Sequence, residues 1–220
     1  MKQTSKAFLG VLTVALALSA VVASAAQAAP EFWAEEFPAS VFGKHIGNVA
    51  MTDEGSIVCE EGSYTGELKK EASSTLSLSP KYGKCKSQGW PVTYFWNGCT
   101  YLLHLKEKTK PENYSGNFDF ACPAGKVIEA KAYSDSGHTI QICRMTISPQ
   151  AGMLSVTYTN FVEAGQKKVE MVFKVGKFKY TQEGSFCVNG SFSNGELEGT
   201  VRLEAENEIG EEDDFAIIKE

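Results

Sequence analysis

The stretch Val92-Thr-Tyr-Phe-Trp-Asn-Gly-Cys-Thr-Tyr-Leu-Leu-His-Leu105 decides the fold class of this chain, because strand-forming residues flank a tight-turn dipeptide. Asn97-Gly98 is the pair preferred at the two positive-φ positions of a type I′ turn, and it predicts a β-hairpin. The expected cross-strand pairs are Trp96 with Cys99, Phe95 with Thr100, Tyr94 with Tyr101 and Val92 with Leu103. Side chains alternate across a sheet. We therefore expect one buried face, which holds Val92, Tyr94, Trp96, Cys99, Tyr101 and Leu103.

A second hairpin is predicted at Val175-Gly-Lys-Phe178, with Gly176 at the first position of a type II′ turn. This turn would place Phe173 opposite Tyr180. The residues expected to point inward are Val169, Met171, Phe173, Val175, Phe178 and Tyr180. Asn189-Gly190 and Asn194-Gly195 predict further turns.

Shorter alternating runs occur along the rest of the chain: Thr75–Leu78, Asn117–Cys122, Val127–Ala132, Cys143–Ile147, Ser155–Tyr158 and Leu197–Leu203. Ten or more short strands with turn signals between them predict an all-β fold, either an antiparallel β-sandwich or a β-barrel. No Pro-rich or Gly/Ser-rich linker divides the sequence into two hydrophobic patterns. We therefore expect residues 29–220 to form a single β domain.

Residues 1–28 have the features of a cleavable secretory signal peptide. Lys2 and Lys6 precede an apolar run, and the small residues Ala23–Ala28 follow it. Cleavage is expected after Ala28, since the apolar run is shorter than the ~20 residues that span a bilayer. The sequence thus predicts a secreted, extracytoplasmic protein with no membrane span in the mature chain.

The mature chain is acidic. Loss of Lys2 and Lys6 changes the formal net charge from −6 to −8. Nucleic acids and anionic membrane surfaces attract basic proteins, so neither is an expected partner.

Six cysteines follow the signal peptide, and an exported chain is expected to oxidise them to structural disulfides worth about 2–4 kcal/mol each. Six cysteines allow fifteen pairings. Local geometry favours Cys85 with Cys99 and Cys122 with Cys143, which leaves Cys59 for Cys187. Because there is no C-x-x-C and no cysteine–histidine spacing of a zinc site, the sequence predicts neither metal binding nor redox catalysis.

The histidines, His45, His104 and His138, have no carboxylate or serine at the spacing of a known motif. The sequence also lacks G-x-S-x-G, H-E-x-x-H and a phosphate-binding loop. We therefore assign no catalytic, cofactor or metal residue. A hydrolase site that folding assembles from distant residues stays open as an alternative.

Aromatic side chains are the remaining candidates for a binding site. Trp33, Trp90, Phe95 and Tyr114 are candidates for a ligand face that takes a sugar or a lipid. Packing in the core or at a sheet edge is the competing interpretation of these four residues.

Six segments, taken in order, resemble a family of secreted, cysteine-containing proteins of unknown function that occur as many paralogues in some high-GC actinobacteria. They are Ala34–Ala39, Ser73–Pro80, Asn97–Tyr101, Cys122–Lys126, Val156–Asn160 and Gly190–Val201. The resemblance covers nearly the whole mature chain and implies an exported bacterial protein. It transfers no catalytic residue, because no activity is attached to that family.

The expected function is a non-enzymatic, extracytoplasmic role as a structural, surface or binding protein, with cell-surface components or glycans as candidate partners. The alternative is a β module that binds a small ligand or a carbohydrate. We expect no cofactor for either role.

Overall fold

A computed structural model describes residues 29–52 and 56–219, so the predicted signal peptide lies outside the described residues. The described part contains no helix and fifteen strands. They are β1 (Glu31–Ala34), β2 (Ala39–Thr52), β3 (Ile57–Leu68), β4 (Ala72–Ser73), β5 (Thr75–Ser87), β6 (Trp90–Phe95), β7 (Thr100–Lys110), β8 (Asn113–Ala121), β9 (Ile128–Tyr133), β10 (Gln141–Ile147), β11 (Gln150–Glu163), β12 (Gln166–Gly184), β13 (Gly190–Glu206), β14 (Glu212–Asp213) and β15 (Phe215–Ile218). The all-β prediction is confirmed.

Eight of these strands close into an antiparallel barrel in the order β2, β3, β5, β7, β8, β11, β12 and β13, and β13 pairs back with β2. Three further strands extend the barrel wall along its axis. Strand β5 pairs with β7 near its start and with β6 over Cys85–Ser87. Strand β12 pairs with β11 near its start and with β10 over Thr181–Gly184. Strands β6, β9 and β10 therefore continue the wall that β7, β8 and β11 begin.

The Asn97-Gly98 turn forms as predicted, but the prediction that its flanking strands pair as a hairpin is wrong. Both residues have positive φ, and the Cys99 N–H donates a hydrogen bond to the Trp96 carbonyl at 2.8 Å. After the turn, β6 and β7 do not pair, and both run antiparallel to β5. Val92 lies opposite Cys85 and Ala132, whereas Leu103 lies opposite Leu76 and Phe118. The turn therefore connects two strands that pair with β5 one after the other, β6 near the end of β5 and β7 near its start.

The face predicted to be buried around this turn does point inward. Val92, Cys99, Tyr101 and Leu103 are buried, and Tyr94 and Trp96 pack against the core. The alternation of inward and outward side chains is a property of each strand, so it does not depend on which strand is the pairing partner.

The hairpin predicted at Val175–Phe178 is also wrong, because β12 runs without a break from Gln166 to Gly184. Lys177 has a φ of 64° and is an extra residue against β13, where Gly176 lies opposite Glu196 and Phe178 opposite Gly195. All six side chains predicted to point inward are buried. A bulge shifts the alternation by one residue, as the predicted turn would have done.

The two Asn-Gly pairs near the C-terminus have different outcomes. Asn189 lies in the connection between β12 and β13, and its side chain accepts a hydrogen bond from the Gly184 N–H at 2.7 Å. Asn194-Gly195 is not a turn, since it lies inside β13. A Cβ at residue 195 would be 2.5 Å from the Phe178 ring, so close packing accounts for this glycine.

All six cysteines form disulfides, but the predicted pairing is wrong. The bonds are Cys59–Cys85, Cys99–Cys122 and Cys143–Cys187, in place of Cys85–Cys99, Cys122–Cys143 and Cys59–Cys187. The pairing follows the register of the barrel. Cys59 lies directly opposite Cys85, and Cys99 and Cys122 flank the adjacent pair Thr100 and Ala121. Three disulfides are typical of proteins in oxidising compartments.

A small sheet of β15, β1 and β4 packs across the end of the barrel at which β5 begins. Phe32 and Phe215 stack with their ring centroids 6.2 Å apart, and Phe32 also contacts the ring of Tyr158 from the barrel interior. Both phenylalanines are fully buried. No helix among the described residues has the length and apolarity that a membrane crossing requires.

Candidate functional site

The opposite end of the barrel, where β5 ends and β6 begins, contains a pocket of about 300 Å³. Its walls come from residues of β3, β5, β6, β9, β10 and β12 and from the loop between β12 and β13. Most of the lining residues are apolar, and six of them form an aliphatic part of the wall: Ile57, Val92, Ala130, Ala132, Ile142 and Met145. Gln182 is a buried polar residue of the lining.

Small side chains on β9 leave room for this pocket. Ala130 and Ala132 occupy consecutive inward positions, opposite Met145 and Cys143 on β10 and opposite Tyr94 and Val92 on β6. The next inward residue along β9, Ile128, is buried in the core. The space therefore opens only toward the end of the barrel.

An aromatic layer lies below the pocket, toward the barrel centre. The next inward residue on β6 after Val92 is Tyr94, whose ring packs against Tyr82 with centroids 5.4 Å apart. The hydroxyl of Tyr82 hydrogen-bonds to those of Tyr101 at 2.7 Å and Tyr64 at 3.1 Å. Burial raises the pKa of Tyr64, Tyr82 and Tyr101 well above the usual value. These phenols are therefore uncharged at physiological pH.

Apolar side chains also surround the mouth of the pocket. Trp90 is 41% exposed, Phe186 72% and Val188 55%, although all three line the pocket. Gln88-Gly89, with φ values of 50° and 89°, makes the tight turn that positions Trp90. Exposed apolar side chains around an apolar cavity are typical of a binding site.

The loop at residues 185–189 is fastened to the barrel at three points. Its Cys187 forms the disulfide with Cys143, and both residues line the pocket. The Phe186 N–H donates to the Ile142 carbonyl at 3.2 Å. The side chain of Asn189 accepts from Gly184. These contacts hold Phe186 and Val188 at the mouth.

The four aromatic residues predicted as a ligand face do not come together. Trp90 lies at the pocket, whereas Trp33 and Tyr114 line a shallow depression at the other end of the barrel, where Lys167 lies over the Trp33 ring at 5.1 Å. Phe95 points away from the interior on β6, with Lys131 4.6 Å from its ring centroid. The single-face hypothesis is wrong, because alternation and strand length separate these side chains.

The three histidines lie apart. On the outer wall, His104 Nε2 is 2.9 Å from Asp119 Oδ2, and Asp119 Oδ1 accepts a hydrogen bond from the Gly152 N–H at 2.6 Å. Among the described residues, no hydroxyl group hydrogen-bonds to His104. His138 contacts Thr93 and stacks on Tyr133. Nor do three or more potential metal-ligating side chains gather anywhere in the described ranges.

His45 on β2 is half-buried. Its Nδ1 is 3.0 Å from the Gly47 carbonyl, while its Nε2 is buried and lacks a hydrogen-bond partner among the described residues. Burial lowers the pKa of this imidazole, and the hydrogen bond to Gly47 partly opposes that shift.

No family model, curated protein or solved structure matches this chain. The pocket is therefore the principal evidence on function. Of its residues, only Trp90 was a ligand candidate in the sequence. The small residues Ala130 and Ala132, at alternate positions of one strand, were the feature of the sequence that could have indicated a pocket. They indicate a pocket only once the strand register is known, which places them opposite Met145 and Val92.

Proposed function

We propose that this chain is a secreted binding protein that holds a small apolar molecule in the open end of its barrel. The observation that carries the proposal is the pocket of about 300 Å³, most of whose lining residues are apolar. Its volume lies at the lower end of the roughly 300–1,000 Å³ of small-molecule sites. The predicted signal peptide, the three disulfides and the resemblance to exported actinobacterial proteins support an extracytoplasmic location.

A binding role also accounts for the composition of the mouth. A purely structural protein has no reason to expose Phe186 and Val188 beside an open apolar cavity, since exposed apolar surface favours association. With a ligand present, the same side chains lose contact with water. Burial of apolar surface is worth about 25 cal/mol per Å², and the tethered loop lowers the cost of ordering the site.

The test is a titration with the uncharged fluorescent probe N-phenyl-1-naphthylamine, using protein purified after export of the full chain. We expect saturable binding to the wild-type protein. Ala132→Phe fills the pocket and should weaken binding at least about tenfold, which corresponds to ~1.4 kcal/mol.

Ala151→Phe is the matched control, because Ala151 is an exposed residue of β11 outside the pocket. It should bind the probe as the wild-type protein does. Absence of saturable binding, or equal binding by both phenylalanine variants, would contradict the proposed function.

A further inference from the structure

We infer that the ligand is an uncharged amphiphile, with an apolar body that lies against the apolar wall and a neutral hydrogen-bonding head group. The inference rests on the proposed function and adds the chemical class of the ligand. Its first support is the charge of the lining. The fifteen described residues that line the pocket include no aspartate, glutamate, lysine, arginine, histidine or tyrosine.

An uncharged lining discriminates against ions of both signs. An ionised group that enters the pocket loses hydration and finds no opposite charge among the described lining residues, a penalty far larger than that for a hydroxyl group. A hydroxyl or ester group needs only hydrogen-bond partners. The lining contains such polar side chains in Gln88 and Ser185.

The charged side chains of the same strands face outward and pair with one another. Arg144 on β10 forms ion pairs with Glu129 on β9 and with Glu183 on β12. Lys131 on β9 also pairs with Glu129, at 3.3 Å. Arg144 and Lys131 are therefore already engaged in ion pairs on the outer wall.

The polar lining residues are spread over the depth of the pocket. Ser87 and Gln88 lie at the turn between β5 and β6, and Ser185 begins the loop after β12. Gln182 lies deeper and is buried opposite Met145. Polar groups among apolar walls at both depths match a neutral ligand that combines an apolar body with hydrogen-bonding groups.

The net charge of the mature chain also predicts which of the two ionic ligand classes, cations or anions, binds less weakly. A formal charge of −8 repels anions and attracts cations over a distance that salt shortens. The expected order of affinity is neutral, then cationic, then anionic. Added salt should narrow the gap between the cation and the anion and leave the neutral compound unaffected.

The experiment is displacement of N-phenyl-1-naphthylamine at pH 8 by three compounds that differ only in the head group: 1-octanol, octylammonium and octanoate. We expect 1-octanol to bind at least about tenfold more tightly than octanoate. Octanoate binding as tightly as 1-octanol overturns the inference and leaves the proposed function standing. Failure of the fluorescent probe itself to bind contradicts the proposed function.

A charge placed at the mouth separates the effect of the lining from the different hydrophobicities of the three compounds. Ser185→Lys on the exposed loop should raise the affinity for octanoate several-fold relative to the affinity for 1-octanol. Ser148→Lys, at an exposed position between β10 and β11, changes the net charge equally but lies outside this pocket. If both lysine variants change octanoate binding to the same extent, net charge and not the lining determines selectivity, and the inference is overturned.

Discussion

The side-chain amide of Gln150 exchanges two hydrogen bonds with the backbone of Lys179. Gln150 Nε2 donates to the Lys179 carbonyl at 2.7 Å, and the Lys179 N–H donates to Gln150 Oε1 at 2.6 Å. Lys179 lies in the part of β12 between its pairings with β11 and β10. Here the wall is interrupted at Ser148-Pro149, and a proline has no N–H to offer. One side chain therefore supplies the two bonds that a strand would make.

Gln150→Ala removes both bonds, so we expect the free energy of unfolding to fall by about 1–2 kcal/mol, at the usual net value of a hydrogen bond. Urea denaturation measures the change. Gln141→Ala is the control, since Gln141 is an exposed glutamine of β10 whose backbone alone pairs with Tyr133. Equal unfolding midpoints for the two variants would show that the bridge contributes nothing.

Asn160 makes the same kind of contact at the end of the barrel that the small sheet of β15, β1 and β4 covers. Its Nδ2 donates to the Ile217 carbonyl at 2.7 Å, and the Ile217 N–H donates to its Oδ1 at 2.8 Å. Asn160→Ala leaves both partly buried backbone groups without these partners. We expect a loss of about 1–3 kcal/mol in stability.

Hydrogen exchange at the Ile217 amide distinguishes a local effect from a general one. Exchange should become faster in Asn160→Ala than in Asn48→Ala, an exposed asparagine of β2. Unchanged protection of Ile217 would mean that β15 is held by its pairing with β1 and the packing of Phe215 alone.

Strand content and inward faces were predictable because both are local properties. Phe173, Phe178 and Tyr180 point inward as the alternation indicates. Pairing is not local. Asn97-Gly98 specifies a turn, but whether its flanking strands pair depends on competition from β5 and β9, which lie elsewhere in the sequence. The turn formed, but β6 and β7 both paired with β5 and not with each other.

The disulfides and the pocket were beyond prediction for the same reason. Cys59 and Cys85 are partners because β3 and β5 are in register at those residues, and no register could be assigned without knowing that the two strands are adjacent. The pocket needs Val92, Ala132 and Cys187 from three separate segments. The sequence could predict that each points inward or ends a strand, but not that they meet.

The half-buried imidazole of His45 predicts a pH-dependent stability. Burial lowers its pKa below 6.5 in the folded chain, so the folded protein binds this proton less readily than the unfolded chain. Its contribution is fully present above pH 6.5 and is lost as pH falls below 6.5 through the folded pKa. His45→Asn, which keeps a polar group near Gly47, should therefore lose less stability than the wild-type protein between pH 7.5 and pH 5.

The measurement is urea denaturation at both pH values, with Asn48→Ala as the control at an exposed residue of the same strand. The control should retain the pH dependence of the wild-type protein. A difference between wild type and His45→Asn that is the same at both pH values would contradict the assignment.

The Cys143–Cys187 bond is expected to control affinity because it joins the pocket wall to the loop that carries Phe186 and Val188. Replacing both cysteines by alanine leaves the loop with its hydrogen bonds alone. The loop side chains must then be ordered when the ligand binds, at ~0.5–1.5 kcal/mol each. We expect N-phenyl-1-naphthylamine to bind about threefold to tenfold more weakly.

The double variant Cys99→Ala/Cys122→Ala separates this effect from general destabilisation. It also removes one bridge, at a cost of about 2–5 kcal/mol, but neither residue lines the pocket. Below the unfolding temperature of both variants, it should bind the probe with wild-type affinity. A disulfide that orders the mouth must affect binding more than a disulfide that lies outside the pocket. An equal loss of affinity in the two variants would therefore show that the Cys143–Cys187 bond acts only on the stability of the fold.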